Sequence, residues 1–267
     1  MKREIQLAAW AAAGVMVSAL TAGAAPVGTD NFTYPDGSIA GRTGGTGWAF
    51  NQHPEAGAPP SAPSDWDVAF GTANVTGGKL VTLESGAIRE YDGPSEGATA
   101  PSNEREGAFQ GTGKVFYGVD TARQAGADWS GASSFDFGAE RIFFGVPSGQ
   151  GANAFFGIEE SNVGRSMTTV PVVTGQTYRI VAEIDYDADQ LKLWVDPSAG
   201  DEASPDATRA YASTNWSSAV RLASGGTGST SWDNLAVGTT FADVVPEPAT
   251  LAWLGGVGAL ALLRRRR

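Results

Sequence analysis

Between Asp30 and Asp243, apolar and polar residues alternate in short runs that turn residues interrupt. A period of two puts every second side chain on one face of an extended strand. The alternation predicts strands over 66–70, 79–83, 87–91, 114–119, 133–137, 141–146, 154–159, 177–186, 190–195 and 231–237. None of these stretches holds a sustained helical repeat with caps. Many short strands at close spacing argue against alternating βαβ units and predict an all-β sandwich or barrel.

The cleanest run is 177–196, which reads as one long hairpin. Tyr178, Ile180, Ala182, Ile184 and Tyr186 are expected to face the core, with Arg179, Glu183 and Asp185 facing out. Asp187-Ala188-Asp189 supplies the turn, and Leu191, Leu193 and Val195 resume the alternation. Three stretches break the pattern, 51–65, 92–106 and 198–215, and read as long loops of the kind that carry function or move.

Composition narrows the chemistry. The 267 residues include no Cys, which excludes disulfides, thiol catalysis and Cys-based zinc sites. Gly 36 and Pro 14 are high, but 10% aromatic and 42% hydrophobic residues are more than a disordered chain carries. A domain over 25–244 is large enough to hold a core without staples.

Both ends read as processing signals. Lys2 and Arg3, then the apolar run 7–20, then Ala22-Gly23-Ala24 have the three parts of a secretory signal over 1–24, with a helical apolar part and signal peptidase as its processor. At the other end, 15 apolar residues over 249–263 precede Arg264, Arg265, Arg266 and Arg267. As a helix this run spans about 22 Å, short of a hydrocarbon core of about 30 Å. The arginines would hold the C-terminus in the cytoplasm and the domain outside. The expected product is one exported domain with a short transmembrane helix that inserts transiently in the inner membrane.

Charge changes the list of partners. Removing 1–24 and the four arginines takes six of the 18 basic residues and one of the 29 acidic ones, leaving about −16. Nucleic acid and anionic membranes are therefore excluded as partners. An acidic polysaccharide would need a bridging cation or a basic patch.

The order Pro246-Glu247-Pro248, apolar helix 249–263 and arginine cluster resembles the PEP-CTERM sorting signal, also called VPEP or the ice-binding protein C-terminal domain. The resemblance implies processing of 245–267 by an exosortase in a Gram-negative bacterium. Delivery would be to the cell envelope, surface or extracellular matrix. The segments 30–50, 140–161, 177–197 and 231–248 resemble LamG-like, concanavalin A-like jelly rolls. That implies two antiparallel sheets packed face to face, with the first and last strands as neighbours. Such folds host lectins, adhesion modules and glucanases alike.

Three constellations carry candidate chemistry. Glu183 and Asp185, followed by Asp187, resemble the Glu-x-Asp-x-Glu strand of concanavalin A-like glucanases; retaining glycosidases need two carboxyls about 5–5.5 Å apart. The same residues also read as an ordinary strand with a solvated acidic face. Asp185, Asp187 and Asp189 would offer a weak Ca²⁺ site on the hairpin turn, although Gln190 replaces the glycine of a calcium loop. Trp129 and Trp216, placed in loops, offer faces for sugar stacking. His53, the one histidine, stands in a Pro-rich stretch without a nucleophile elbow. The reading preferred is a non-enzymatic binding or structural module with carbohydrate, an extracellular polysaccharide, as its ligand class. The alternatives are a glycoside hydrolase using Glu183 and Asp185, and a calcium-stabilised adhesin.

Overall fold

The computed structural model describes residues 26–48, 65–90, 112–136, 139–151, 153–212 and 217–245. In chain order the strands are β1 (Gly28–Asp30), β2 (Gly37–Ser38), β3 (Asp67–Phe70), β4 (Asn74–Thr76), β5 (Lys79–Thr82), β6 (Ser85–Glu90), β7 (Lys114–Arg123) and β8 (Ala127–Asp136). Then come β9 (Ala139–Val146), β10 (Phe155–Glu160), β11 (Gly164–Pro171), β12 (Thr177–Asp185), β13 (Gln190–Val195), β14 (Ala207–Ala210), β15 (Ala219–Gly226) and β16 (Thr230–Gly238). A single helical turn, α1 (Phe241–Val244), follows.

Two antiparallel sheets form a β-sandwich, as the alternation and the jelly-roll resemblance predict. One runs β14-β13-β12-β7-β16-β5-β4-β2, with β1 also on β16; the other runs β11-β10-β9-β8-β15-β6-β3. The first and last strands are neighbours, Gly28 opposite Val237. The inward residues of both sheets interlock in one core that includes Trp66, Trp232, Phe144, Phe156, Ile180 and Ile184. Trp48, Trp66, Trp194 and Trp232 are all buried.

A buried ion pair joins the sheets near their start. Asp30 at the end of β1 accepts from Arg89 Nη1 of β6 at 2.8 Å, from Trp66 Nε1 at 2.8 Å and from the Tyr34 hydroxyl. Its other oxygen accepts the Phe32 N–H at 2.8 Å. The Arg89 guanidinium also stacks on the Trp48 ring, 4.5 Å from its centroid.

The structure corrects three expectations. The stretch 198–215 is not one open loop, because Ala207–Ala210 pairs with β13, Gln190 opposite Ala210. Trp129 stands on β8 rather than in a loop. Glu183 and Asp185 point to the outer face of the nine-stranded sheet, but they are buried, at 1% and 3% exposure. Lys114 and Lys192 meet these carboxylates, and a second layer lies on the same face. Phe241, Val244 and Val245 pack against Phe116, Val181, Trp194 and Ala236 on that face. Among the described residues no helix is long and apolar enough to cross a membrane. The signal segment 1–24, His53, most of 51–65, 92–106, Trp216, Pro246, Glu247, Pro248, the apolar run 249–263 and Arg264, Arg265, Arg266 and Arg267 lie outside the described residues.

Candidate functional site

Cross-strand register builds a site on the outer face of the seven-stranded sheet. Ala87, Leu222, Ala132, Phe144 and Ile158 point into the main core, so their chain neighbours point outward. Those neighbours fall in one row. Phe70 lies opposite Gly86, Gly86 opposite Ala223, and Ala223 opposite Gly131. Gly131 lies opposite Gly145, Gly145 opposite Gly157, and Gly157 opposite Met167. Four glycines and an alanine thus cross the middle five strands, with half-exposed Phe70 and Met167 at the two ends. Seven strands at about 4.8 Å spacing make the row roughly 29 Å long.

The small residues seat aromatic rings. A Cβ on Gly86 would meet the Phe70 ring, one on Gly131 the Phe143 ring, and one on Gly225 the Trp129 ring, all inside van der Waals contact. Without those carbons the rings lie down on the sheet. Trp129 is 6.2 Å from Phe70 and 6.1 Å from Phe143, edge to face. A shallow groove of about 300 Å³ lies over them, bordered by Glu140, Ser148, Glu159, Ser161 and Arg221. That volume is at the lower end for ligand sites, which combine apolar walls with a few placed polar groups.

The polar border is internally balanced. Arg221 Nη2 pairs with Glu140 at 2.7 Å, and its guanidinium stacks on Phe135 at 4.8 Å and Phe70 at 5.7 Å. Glu140 also accepts from Ser133 Oγ at 2.7 Å. Arg165 pairs with Glu159 at 2.9 Å and donates to the Ser148 carbonyl at 2.9 Å. The groove therefore presents stacking faces and hydrogen-bonding groups without a net charge.

Glu183 and Asp185 are brought together, but on the opposite side of the molecule and with lysines. Lys114 Nζ lies 2.8 Å from Glu183 Oε1 and 2.9 Å from Asp185 Oδ2, while Lys192 Nζ lies 3.1 Å from Glu183 Oε2. Asp185 Oδ1 accepts the Ala188 N–H at 3.0 Å. Burial alone would raise the Asp185 carboxyl, but the bonds from Lys114 and Ala188 outweigh it and hold it below the usual range. The Glu183 bond, opposed by burial and helped by Asp185, holds the Lys114 ammonium above its usual range. A retaining glycosidase needs one carboxyl that keeps a proton. The cluster favours charge on Asp185.

The turn carboxylates are not gathered. Asp185 points to Lys114, Asp187 accepts the Gly113 N–H at 2.9 Å, and Asp189 is exposed with positive φ. Among the described residues no three His, Cys, Asp or Glu side chains are grouped to hold a metal ion. Trp129, singled out from the sequence, stands in the groove. Phe70, Phe143, Arg221, Glu140 and Glu159 were not singled out. The repeated Phe-Phe-Gly at 143–145 and 155–157 was the available signal, because glycine in a strand marks close approach of another group.

Val245, packed on the outer face of the nine-stranded sheet, is followed in sequence by Pro-Glu-Pro, the apolar run and four arginines. Residues 244–267 match the PEP-CTERM protein-sorting motif. A motif of this kind implies export and sorting to the cell envelope by an exosortase system of Gram-negative bacteria. No curated protein matches this chain. Among solved structures it is similar to a sialidase at 9% identity, covering 67% of this chain but 17% of that one, with a TM-score of 0.45. An alginate lyase of polysaccharide lyase family 7 is 11% identical over 62% of this chain and 81% of its own, with a TM-score of 0.40. The CBM2 module of an evolved Dit protein of Lactobacillus casei BL23 phage J-1 is 10% identical over 63% and 79%, with a TM-score of 0.41. Likenesses this distant assign no activity to the chain.

Proposed function

We propose that the sandwich over 25–244 is a non-enzymatic binding module of an envelope or matrix protein, and that it takes a neutral, linear polysaccharide along the groove of the seven-stranded sheet. The carrying observation is the register-aligned row of small residues, with Gly225 beside it, that seats Phe70, Trp129 and Phe143 on one outer face. Sugar rings present apolar C–H faces and a rim of hydroxyls. Aromatic planes take the former, and Arg221, Glu140, Glu159, Ser148 and Ser161 bond the latter. A groove crossing the strands also suits an extended chain rather than a compact small molecule. Because Arg221–Glu140 and Arg165–Glu159 balance, and the protein is acidic overall, a polyanion gains nothing there. In this reading signal peptidase removes 1–24, exosortase removes the tail, and no cofactor takes part in binding.

Affinity electrophoresis of the full chain through gels containing neutral matrix polysaccharides tests the proposal. Retardation is expected and should be unchanged between low salt and about 0.5 M, since no ion pair is formed on binding. Trp129→Ala should weaken retardation about tenfold, near 1.4 kcal/mol. Equal retardation of the variant, or loss of wild-type binding in salt, would overturn the reading.

A further inference from the structure

The chain has no Cys and three Met, and Met1 and Met16 fall in the signal segment, so Met167 holds the one sulfur of 25–244. It stands on β11 opposite Gly157, at the far end of the row of small residues, and is 40% exposed. A Cβ on Gly157 would come 2.7 Å from Met167 Sδ and 3.0 Å from its Cε, so the thioether lies flat on the sheet over that glycine. The glycine closes the sheet side of the sulfur and leaves approach from the solvent side.

β11 borders the groove. Arg165, two residues before Met167 and on the same face, pairs with Glu159 and donates to the Ser148 carbonyl at 2.9 Å, and Glu159 and Ser148 both line the groove. Gly131, which seats the Phe143 ring, lies three strand spacings from Met167, about 14 Å. A polymer laid over Trp129 and Phe143 and along the row therefore reaches the thioether.

An unbranched thioether is an adaptable apolar contact that can settle under the C–H face of a sugar. Oxidation makes it a polar, chiral sulfoxide. Because the sheet side is closed, the new oxygen points outward, where the bound polymer would lie. We propose that Met167 is the distal apolar contact of the groove and its oxidation site, at which a hydroperoxide weakens the hold on a neutral polysaccharide. The proposal rests on the groove reading above. In the step, a lone pair of Sδ forms the S–O bond as the O–O bond of the hydroperoxide breaks, and the hydroperoxide leaves as water or an alcohol. A methionine sulfoxide reductase reverses it, taking two electrons and two protons from a dithiol and releasing the oxygen as water. With no Cys in the chain, neither reagent makes or breaks a disulfide here.

Affinity electrophoresis of the full chain through gels containing laminarin, soluble amylose or hydroxyethylcellulose, before and after brief hydrogen peroxide, tests this. The tryptic fragment 166–179 carries Met167 and should gain the mass of one oxygen. On a gel that retards untreated wild type, that conversion should weaken binding about fourfold, the factor lost with about one methylene of apolar contact. Reductase with dithiothreitol should restore it. Met167→Leu should bind as untreated wild type does and ignore peroxide, and Met167→Gln should bind as the oxidised protein does. Binding unchanged or tightened after full conversion, a Met167 that resists peroxide, or an equal loss in Met167→Leu would overturn the proposal and leave the groove standing. No retardation of untreated wild type on any gel would instead refute the groove reading, and this proposal with it.

Discussion

Asp30 illustrates how much one side chain holds in this fold. Its two oxygens take four donors, Phe32 and Tyr34 from the turn after β1, Trp66 just before β3 and Arg89 on β6, and the last two are far from it in sequence. Removing one member of such a buried pair leaves the other as an uncompensated charge, costing about 3–5 kcal/mol. Asp30→Ala should therefore lower Tm on the order of 10 °C, whereas joint replacement of Asp30 and Arg89 by leucine should cost less than the single change. Differential scanning calorimetry decides between them. Asp185 gives a pH-dependent counterpart. Its carboxyl titrates lower in the folded protein than in the unfolded chain, so its contribution is full above about pH 4 and fades as pH falls through the folded value. Asp185→Asn should be less stable than wild type at neutral pH, with the gap closing below about pH 4 in denaturant titrations. At this scale the sequence was legible where side chains are large. Tyr178, Ile180, Ala182 and Ile184 enter the core as their spacing requires. It misled at Glu183 and Asp185, because a charged residue on a strand's outer face reads as solvated unless something covers that face.

At the scale of elements, the hairpin β12–β13 was readable because it alternates cleanly on both arms. β15 was not, although it lies between β8 and β6 in its sheet. Of its outward positions only Arg221 contrasts with the inward Val220 and Leu222; Ser224 is polar but buried, and Ala223 and Gly225 are small and apolar. Those same small residues make the groove. The row from Phe70 through Gly86, Ala223, Gly131, Gly145 and Gly157 to Met167 collects positions from residue 70 to residue 223. Only register, which depends on every hairpin between them, places them side by side. Trp129 could be picked out singly as a stacking face, but its neighbours could not be inferred without the sheet order.

For the whole molecule, the two outer faces do different work. The nine-stranded sheet carries Phe241, Val244, Val245 and the lysine-bound carboxylates on its outer face. The seven-stranded sheet carries the aromatic groove on the opposite side of the sandwich. The sorting motif was legible in the C-terminal sequence because it is read as a linear signal; the aromatic groove was not, since it exists only after folding. A two-dimensional amide NMR titration of the full chain with a neutral linear oligosaccharide tests the central claim most directly. The account predicts shifts confined to Phe70, Phe143, Ser161, Arg221 and the Trp129 indole N–H, with the sugar's anomeric signals unchanged in number over time. Shifts centred on Lys114, Glu183 and Lys192, or new anomeric signals growing as bonds are cut, would contradict it.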